Sequence, residues 1–320
     1  MNTQSIDLGA GNIKRVGDHS HIIIATQIAA ATGLTMGRVA GMRNRRPPTT
    51  IEVAGHKFYV GAGSHEWGRP IENLDDSRFT VGTPELRALV YATLSDIPDA
   101  TQPLTVVVAL PQSALAEDVA GQTTTGLRRW LTGTHTWRCD DTEHTVEIAR
   151  VIPTTQVAGA YFDYLLDDNG EYIPERKTHY KQEVGIMSIG MNNIEMMVVN
   201  RGQRVPRFTV STTNGVRRLL ELINGNGLYS RGELDCLLRE NNIDIAASLP
   251  LWASDITGDV EKGWGGKTRK RFAVTYIIGG GAVLLGSTLY TMFNGKTLVA
   301  DDPILAVARG IKKLAKRKSW

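Results

Sequence analysis

Apolar positions along the chain switch repeatedly between a period of two and a period of three to four, the pattern of alternating strands and helices. A strand ends at Leu8, a turn follows at Gly9-Ala10-Gly11, and a second extended run covers Asn12 to Val16, predicting a β-hairpin at the start. A second hairpin is expected from Ile51-Glu52-Val53, a turn at Ala54-Gly55, and Lys57 to Val60, after a loop containing Arg43, Arg45, Arg46, Pro47 and Pro48. Thr83-Pro84-Glu85 is a helix start, with a capping hydroxyl, proline at the first helical position and an acid in the first turn. Leu86, Leu89, Val90 and Leu94 then recur at helical spacing.

Leu104 to Leu110 reads as a buried strand ending at Pro111, followed by a helix to about Thr132. A strand is predicted from Thr145 to Ile152, stopping at Pro153, then a helix from Gln156 to Leu166 and a polar surface loop from Asp167 to Gln182. Val184 to Gly190 and Ile194 to Val199 form another predicted hairpin. Helices are expected over Gly215 to Ile223, Gly232 to Glu240 and part of Ser254 to Arg271. The strand Phe272 to Ile278 runs into Gly279-Gly280-Gly281, and a last helix starts near Pro303. It carries Lys312, Lys313, Lys316, Arg317 and Lys318, which with Lys267, Arg269, Lys270 and Arg271 read as solvated basic faces. Trp252 and Trp264 are expected in the core and Trp320 as a mobile terminal residue.

Composition narrows the class. The 320 residues suffice for one large or two medium domains, and 42% hydrophobic with 22% charged residues is ordinary for a globular protein. A net charge of +3 gives no ground for direct nucleic-acid or membrane binding. Cys139 and Cys236 stand in no metal-ligand spacing and read as reduced thiols. Met1 to Gly9 lacks a signal-peptide pattern, and the longest apolar stretch, Tyr276 to Leu285, is glycine-broken and too short to span a bilayer. The expected location is cytoplasmic.

The chemistry lies in four short segments. In Asp7-Leu8-Gly9-Ala10-Gly11-Asn12-Ile13-Lys14 a glycine turn can aim backbone N–H groups at a phosphate. Asp7 suits Mg²⁺, and Lys14 suits a phosphate as a point charge. Ser188-Ile189-Gly190-Met191 repeats the hairpin logic with a serine at the strand end. Ile278-Gly279-Gly280-Gly281-Ala282 turns from a buried strand into a helix and offers bare backbone to a flat ligand. Gln156, at the start of a helix after Pro153-Thr154-Thr155, can orient an attacking water. Taken singly, these segments also read as ordinary hairpins, a packing turn and an exposed glutamine.

In this order the segments resemble the actin superfamily, with the nearest likeness to ParM-like and archaeal actin-like proteins. Asp7 to Lys14 looks like their first phosphate loop, and Ile278 to Ala282 like their adenosine motif. The resemblance implies an α/β, actin-like fold of two RNase H-like halves around a nucleotide cleft. Residues 1–158 with 301–320 would form one domain and 159–300 the other. It implies ATP or GTP with Mg²⁺ as cofactors. Asp7 would hold the metal, and Gly9, Ala10, Gly11, Asn12, Lys14, Ser188 and Gly190 would line the phosphates. Gly279, Gly280 and Gly281 would face the adenosine, and Gln156 would place the water. The implied function is a nucleotide-dependent filament in which the protein itself is the partner, with cargo such as plasmid DNA reached through a DNA-binding adaptor. The family's second phosphate loop begins with aspartate where this chain has Ser188, which implies hydrolysis slowed by about 10²–10³-fold. Glu195, near the end of the same hairpin, is not assigned the missing role on spacing. The alternatives are a filament or regulatory protein that binds nucleotide with little hydrolysis, and a small-molecule kinase of the same superfamily.

Overall fold

The computed structural model describes residues 2–32, 46–72, 77–97, 102–293 and 296–320. The expected loop residues Arg43 and Arg45 lie outside them, and Arg46, Pro47 and Pro48 carry no regular structure.

The first part of the chain builds one sheet. Its strands are β1 (Asn2–Leu8), β2 (Asn12–Val16), β3 (His21–Ala25), β4 (Ile28–Ala30), β5 (Thr49–Val53), β6 (His56–Val60) and β7 (Arg69–Pro70). Helices α1 (Ser77–Val81) and α2 (Pro84–Leu94) lead to β8 (Leu104–Leu110), then α3 (Ala120–Leu131), β9 (Gly133–Cys139) and β10 (Thr142–Thr155). The ten strands lie in the order β3-β2-β1-β8-β10-β9-β5-β6-β4-β7. After α4 (Gln156–Leu165) come β11 (Glu183–Ile189), β12 (Ile194–Asn200), β13 (Gln203–Arg204) and β14 (Val210–Thr212). Helices α5 (Val216–Ile223), α6 (Arg231–Arg239), α7 (Leu249–Trp264) and α8 (Gly266–Arg269) precede β15 (Val274–Ile278). The chain closes with α9 (Gly280–Leu285), α10 (Thr288–Met292), β16 (Thr297–Val299) and α11 (Ala306–Lys318). The second sheet runs β13-β12-β11-β15-β16, with β14 also paired to β12.

The two sheets share a plan. In the first, β3, β2 and β1 form an antiparallel meander, and β1 continues into parallel β8 and β10. In the second, β14, β12 and β11 form the meander, and β11 continues into parallel β15 and β16. Alternation along each strand then sorts side chains between layers. Val106 and Val108 of β8 join the core under α2 and α3, while Val107 and Ala109 face a core between the sheets. Met187 and Ile189 of β11 pack beneath α5 and α7, while Val184 and Ile186 face that same central layer.

Helices α4 and α11 fill the central layer, and they meet at glycines. A Cβ on Gly310 would lie 1.9 Å from the Gly159 carbonyl oxygen, so no larger residue fits without parting the helices. Beside the crossing, Asp163 of α4 accepts two hydrogen bonds from Arg309, each 2.7 Å, and one from the Tyr276 hydroxyl at 2.8 Å. Lys313 lies 3.0 Å away on α11. Burial pushes the Asp163 carboxyl up, but the Arg309 hydrogen bond and the Lys313 charge outweigh it, leaving it below the usual carboxylate range. Burial and the adjacent carboxylate both push the Tyr276 phenol up.

Most expected elements are present: the opening hairpin, the hairpin at Ala54-Gly55, the capped α2 and the buried β8. Trp252 and Trp264 are fully buried, as expected, and both cysteines are free thiols. Four readings change. First, β10 runs through Pro153 rather than stopping there: Pro153 pairs with Val108, and the far side of β10 is no longer covered once β9 ends at Gly133. The strand β9, paired with β10 as a hairpin, has no counterpart among the expected elements. Second, the polar stretch after Asp167 includes a 3₁₀ helix, Pro174–Lys181. Third, Lys312 and Lys313 are buried rather than solvated: Lys312 donates to the Thr3 carbonyl at 2.6 Å and pairs with Asp18 at 3.0 Å. Fourth, Trp320 is ordered, because its carbonyl accepts from the Thr3 hydroxyl at 2.7 Å and its ring packs on the central core. No helix among the described residues is long and apolar enough to cross a membrane.

Replacing Asp163 by alanine leaves Arg309 and Lys313 without their carboxylate and should cost about 3–5 kcal/mol, read from urea unfolding. Because the folded carboxyl sits below its unfolded value, its contribution is complete above about pH 4 and fades as pH falls further. The stability gap between wild type and Asp163→Ala should therefore hold from pH 7 to about 4 and narrow below it.

Candidate functional site

Asp7 and Ser188 are each the penultimate residue of the first strand in their sheet unit. Ile6 and Leu8 point into the outer core, so Asp7 points to the inner face, where Val107 and Ala109 of the next strand lie. Met187 and Ile189 likewise point outward, which turns Ser188 inward. The two strand ends therefore face one another, and a cavity of about 400 Å³ opens between them, a size suited to a small-molecule ligand.

Asp7, Gly9, Ala10, Gly11, Asn12, Lys14, Gln156, Ser188, Gly190, Gly279 and Gly280 all line this cavity. Asp7 is 1% exposed and takes a hydrogen bond from Gln156 Nε2 at 2.6 Å and an ion pair from Lys14 Nζ at 2.7 Å. Lys14 stands directly opposite Asp7 on β2, so the hairpin register creates the pair. Gln156 reaches the same carboxylate because Thr155 caps α4, accepting from Ala158 N–H at 3.0 Å and starting the helix beside β8. The turns of the two hairpins nearly touch: a Cβ on Gly11 would fall 3.1 Å from the Cβ of Met191.

The triple glycine has three different reasons. Gly279 has φ 96°, a left-handed conformation, and a Cβ there would sit 2.4 Å from the Ile189 carbonyl oxygen. Gly280 has open space beside it and presents bare backbone to the cavity. Gly281 is not among the residues lining the cavity. Its Cα faces Ile189, where a Cβ would lie 2.2 Å from the side chain, so packing of α9 on the second hairpin requires glycine there.

Residues 5–159 match the family model described as the N-terminal domain of actin-like proteins. The solved structure of apo pSK41 ParM superimposes with a TM-score of 0.74 at 14% identity, covering 99% of this chain and 98% of that one. The chain has the actin-like fold. An archaeal actin homologue, Ta0583, solved in complex with ADP, superimposes with a TM-score of 0.73 at 17% identity over 99% of this chain and all of that one. A 15-stranded ParM filament from Clostridium botulinum gives 0.71 at 17% identity, covering 100% of this chain and 99% of its own. No curated protein sequence matches the chain.

Within this actin-like fold the cavity also has walls that the motifs do not reveal. Val283, Leu284 and Ile304 add apolar surface beside Gly280, and Arg78 of α1 lines the other lobe. Across the cavity mouth, α6 of the second lobe is tied to the first. Gln27 donates to Asp235 at 2.6 Å and accepts from Gly63 N–H at 3.0 Å and from the Cys236 thiol at 3.1 Å. Arg239 pairs with Asp235 at 2.8 Å and donates to the Gly11 carbonyl and Asn12 Oδ1 at 2.9 and 2.8 Å. Glu72 accepts from Gly232 N–H at 3.1 Å. The capping box of Ser230 and Glu233 could be read from sequence, but its contact with the first lobe could not, because more than 150 residues separate the partners.

Gln27→Ala removes the shared centre of this rim contact. Each lost hydrogen bond is worth ~1–3 kcal/mol at a buried site, so amide exchange at Gly63 and along α6 should speed by about tenfold or more. Hydrogen–deuterium exchange with mass spectrometry reads this directly, and unchanged exchange would show that the lobes are held elsewhere.

Proposed function

We propose that the actin-like protein is a nucleotide-dependent filament former of the ParM type. The observation that carries this reading is the convergence of two glycine hairpins and a strand–glycine–helix turn on one cavity, with Asp7, Lys14 and Gln156 joined inside it. ATP or GTP is the proposed ligand: its phosphates lie against Gly9 to Asn12 and Gly190, and its base against the backbone of Gly279 and Gly280. The solved ADP complex of Ta0583, which shares this fold, supports a nucleotide as occupant. The ParM filament from Clostridium botulinum supports self-association.

The donors present suit Mg²⁺. Asp7 supplies a hard carboxylate oxygen, and among the described residues no group of three or more His, Cys, Asp or Glu gathers to form a protein cage. A cation here takes most of its ligands from phosphate and water, as Mg²⁺ prefers. When bound, Mg²⁺ supplies charge stabilisation for the transferring phosphoryl group. Lys14 then shifts from Asp7 toward phosphate, and Gln156, already beside Asp7, orients the attacking water. With Ser188 at the end of β11, the cavity-facing ends of the two first strands carry one acid between them, and with Asp7 acting alone hydrolysis is slow.

Residues 1–158 with 301–320 and residues 159–300 are proposed to act as the two moving bodies. Nucleotide draws them together, the closed form presents the surface that stacks head to tail, and hydrolysis loosens it. The filament belongs in the cytoplasm and reaches cargo such as plasmid DNA through an adaptor.

The test is high-speed pelleting of purified protein with and without Mg-ATP or Mg-GTP, with phosphate release followed in the same tubes. Pelleting that requires nucleotide supports the proposal, and absence of pelleting at every concentration and nucleotide removes the filament reading. Asp7→Ala should slow phosphate release by about 10²-fold or more, and normal release in that variant would overturn the site assignment.

A further inference from the structure

The second sheet unit does carry an acid facing the cavity, on the other strand of its hairpin. β11 and β12 pair in a register that sets Glu195 directly opposite Ser188. Directly opposed residues lie on the same face with Cβ atoms about 4.5–5.5 Å apart. Alternation along β12 agrees: Ile194, Met196 and Val198 point to the outer core, while Met197 and Val199 share the inner face with Glu195. Glu195 is 4% exposed and lines the same cavity as Asp7 and Gln156. Its Oε1 accepts a 3.0 Å hydrogen bond from the backbone N–H of Gln112, in the loop after β8 of the opposite lobe. The carboxylate is thus held across the cavity floor.

The comparison with the first unit sharpens the point. There the acid is on the first strand and its opposite partner on the second strand is Lys14. In the second unit the matching position of the first strand, Ser188, is neutral and the acid sits where Lys14 would be. A carboxylate has moved across one rung of the hairpin, and the extra methylene of glutamate over aspartate lengthens its reach into the cavity.

Resting on the nucleotide reading above, we propose that Glu195 is the second acidic group of the site, acting with Asp7 on the divalent cation of a bound nucleotide while Ser188 is dispensable. Two carboxylates with phosphate oxygens and water are within the usual donor set of Mg²⁺. Ser188 then marks a relocated acid rather than a lost one, and the slow hydrolysis inferred from Ser188 alone does not follow.

The experiment compares equilibrium binding of AMPPNP and GMPPNP, in excess MgCl₂ and in EDTA, for wild type, Ser188→Ala, Glu195→Gln and the double variant Ser188→Asp/Glu195→Gln. For the analogue that binds wild type more tightly, Mg²⁺ should raise affinity. Glu195→Gln should lose at least about tenfold of that increment with its EDTA affinity within about threefold of wild type, a loss of ~1.4 kcal/mol. Ser188→Ala should keep the increment within about twofold. The double variant, which moves the carboxylate back across the rung, should recover most of it. A wild-type protein that binds with no Mg²⁺ increment, a full increment in Glu195→Gln, or its loss in Ser188→Ala would each overturn the proposal. So would failure of the double variant to recover, since the role of Glu195 would then be to fix the Gln112 loop. Wild type that binds neither analogue in either condition overturns the nucleotide reading itself, a result distinct from the others.

Discussion

At the centre of the molecule a single carboxylate, Asp163, engages an arginine, a lysine and a tyrosine from two other elements. It joins α4, which follows the first sheet, to α11, which follows the second, and both to β15 of the second sheet. Buried charge is costly unless every member finds a partner, so this cluster tolerates little change in how the helices cross. The glycine contact beside it imposes the same crossing sterically. With the crossing fixed, the inner faces of both sheets are held at a set separation, and the strand ends bearing Asp7 and Ser188 face one cavity.

Local rules made much of this legible. The hairpins could be read because glycine turns interrupt runs of alternating apolar residues, and α2 because Thr83, Pro84 and Glu85 supply its start. Asp7, Lys14 and the glycine turn were marked by their position at a strand end, and the resemblance of their order to actin-like proteins gave the fold. Gln156 was marked by its place at a helix start, although its hydrogen bond to Asp7 spans a separation of 149 residues that no local rule reports.

The misreadings share a cause, since each depends on a neighbour distant in sequence. Pro153 ends a strand by local rule, but among the described residues no strand pairs with it on its far side, and β10 continues. Lys312 and Lys313 look like a soluble tail until Thr3, Asp18 and Asp163 approach from elsewhere in the chain. The pairing of Ser188 with Glu195 lies closer to hand. Counting from a turn of four residues between Ile189 and Ile194 would have given the register, and with it the shared face.

The contact between Gly159 and Gly310 acts as a spacer set at its smallest value. Two backbones pressed together leave no room for a side chain between them, and sliding would drive one carbonyl into the other helix. A side chain at either glycine would wedge the helices apart, and at Gly159 it would press on Val307, a wall of the cavity, so the spacing of the two sheets is also the width of the site.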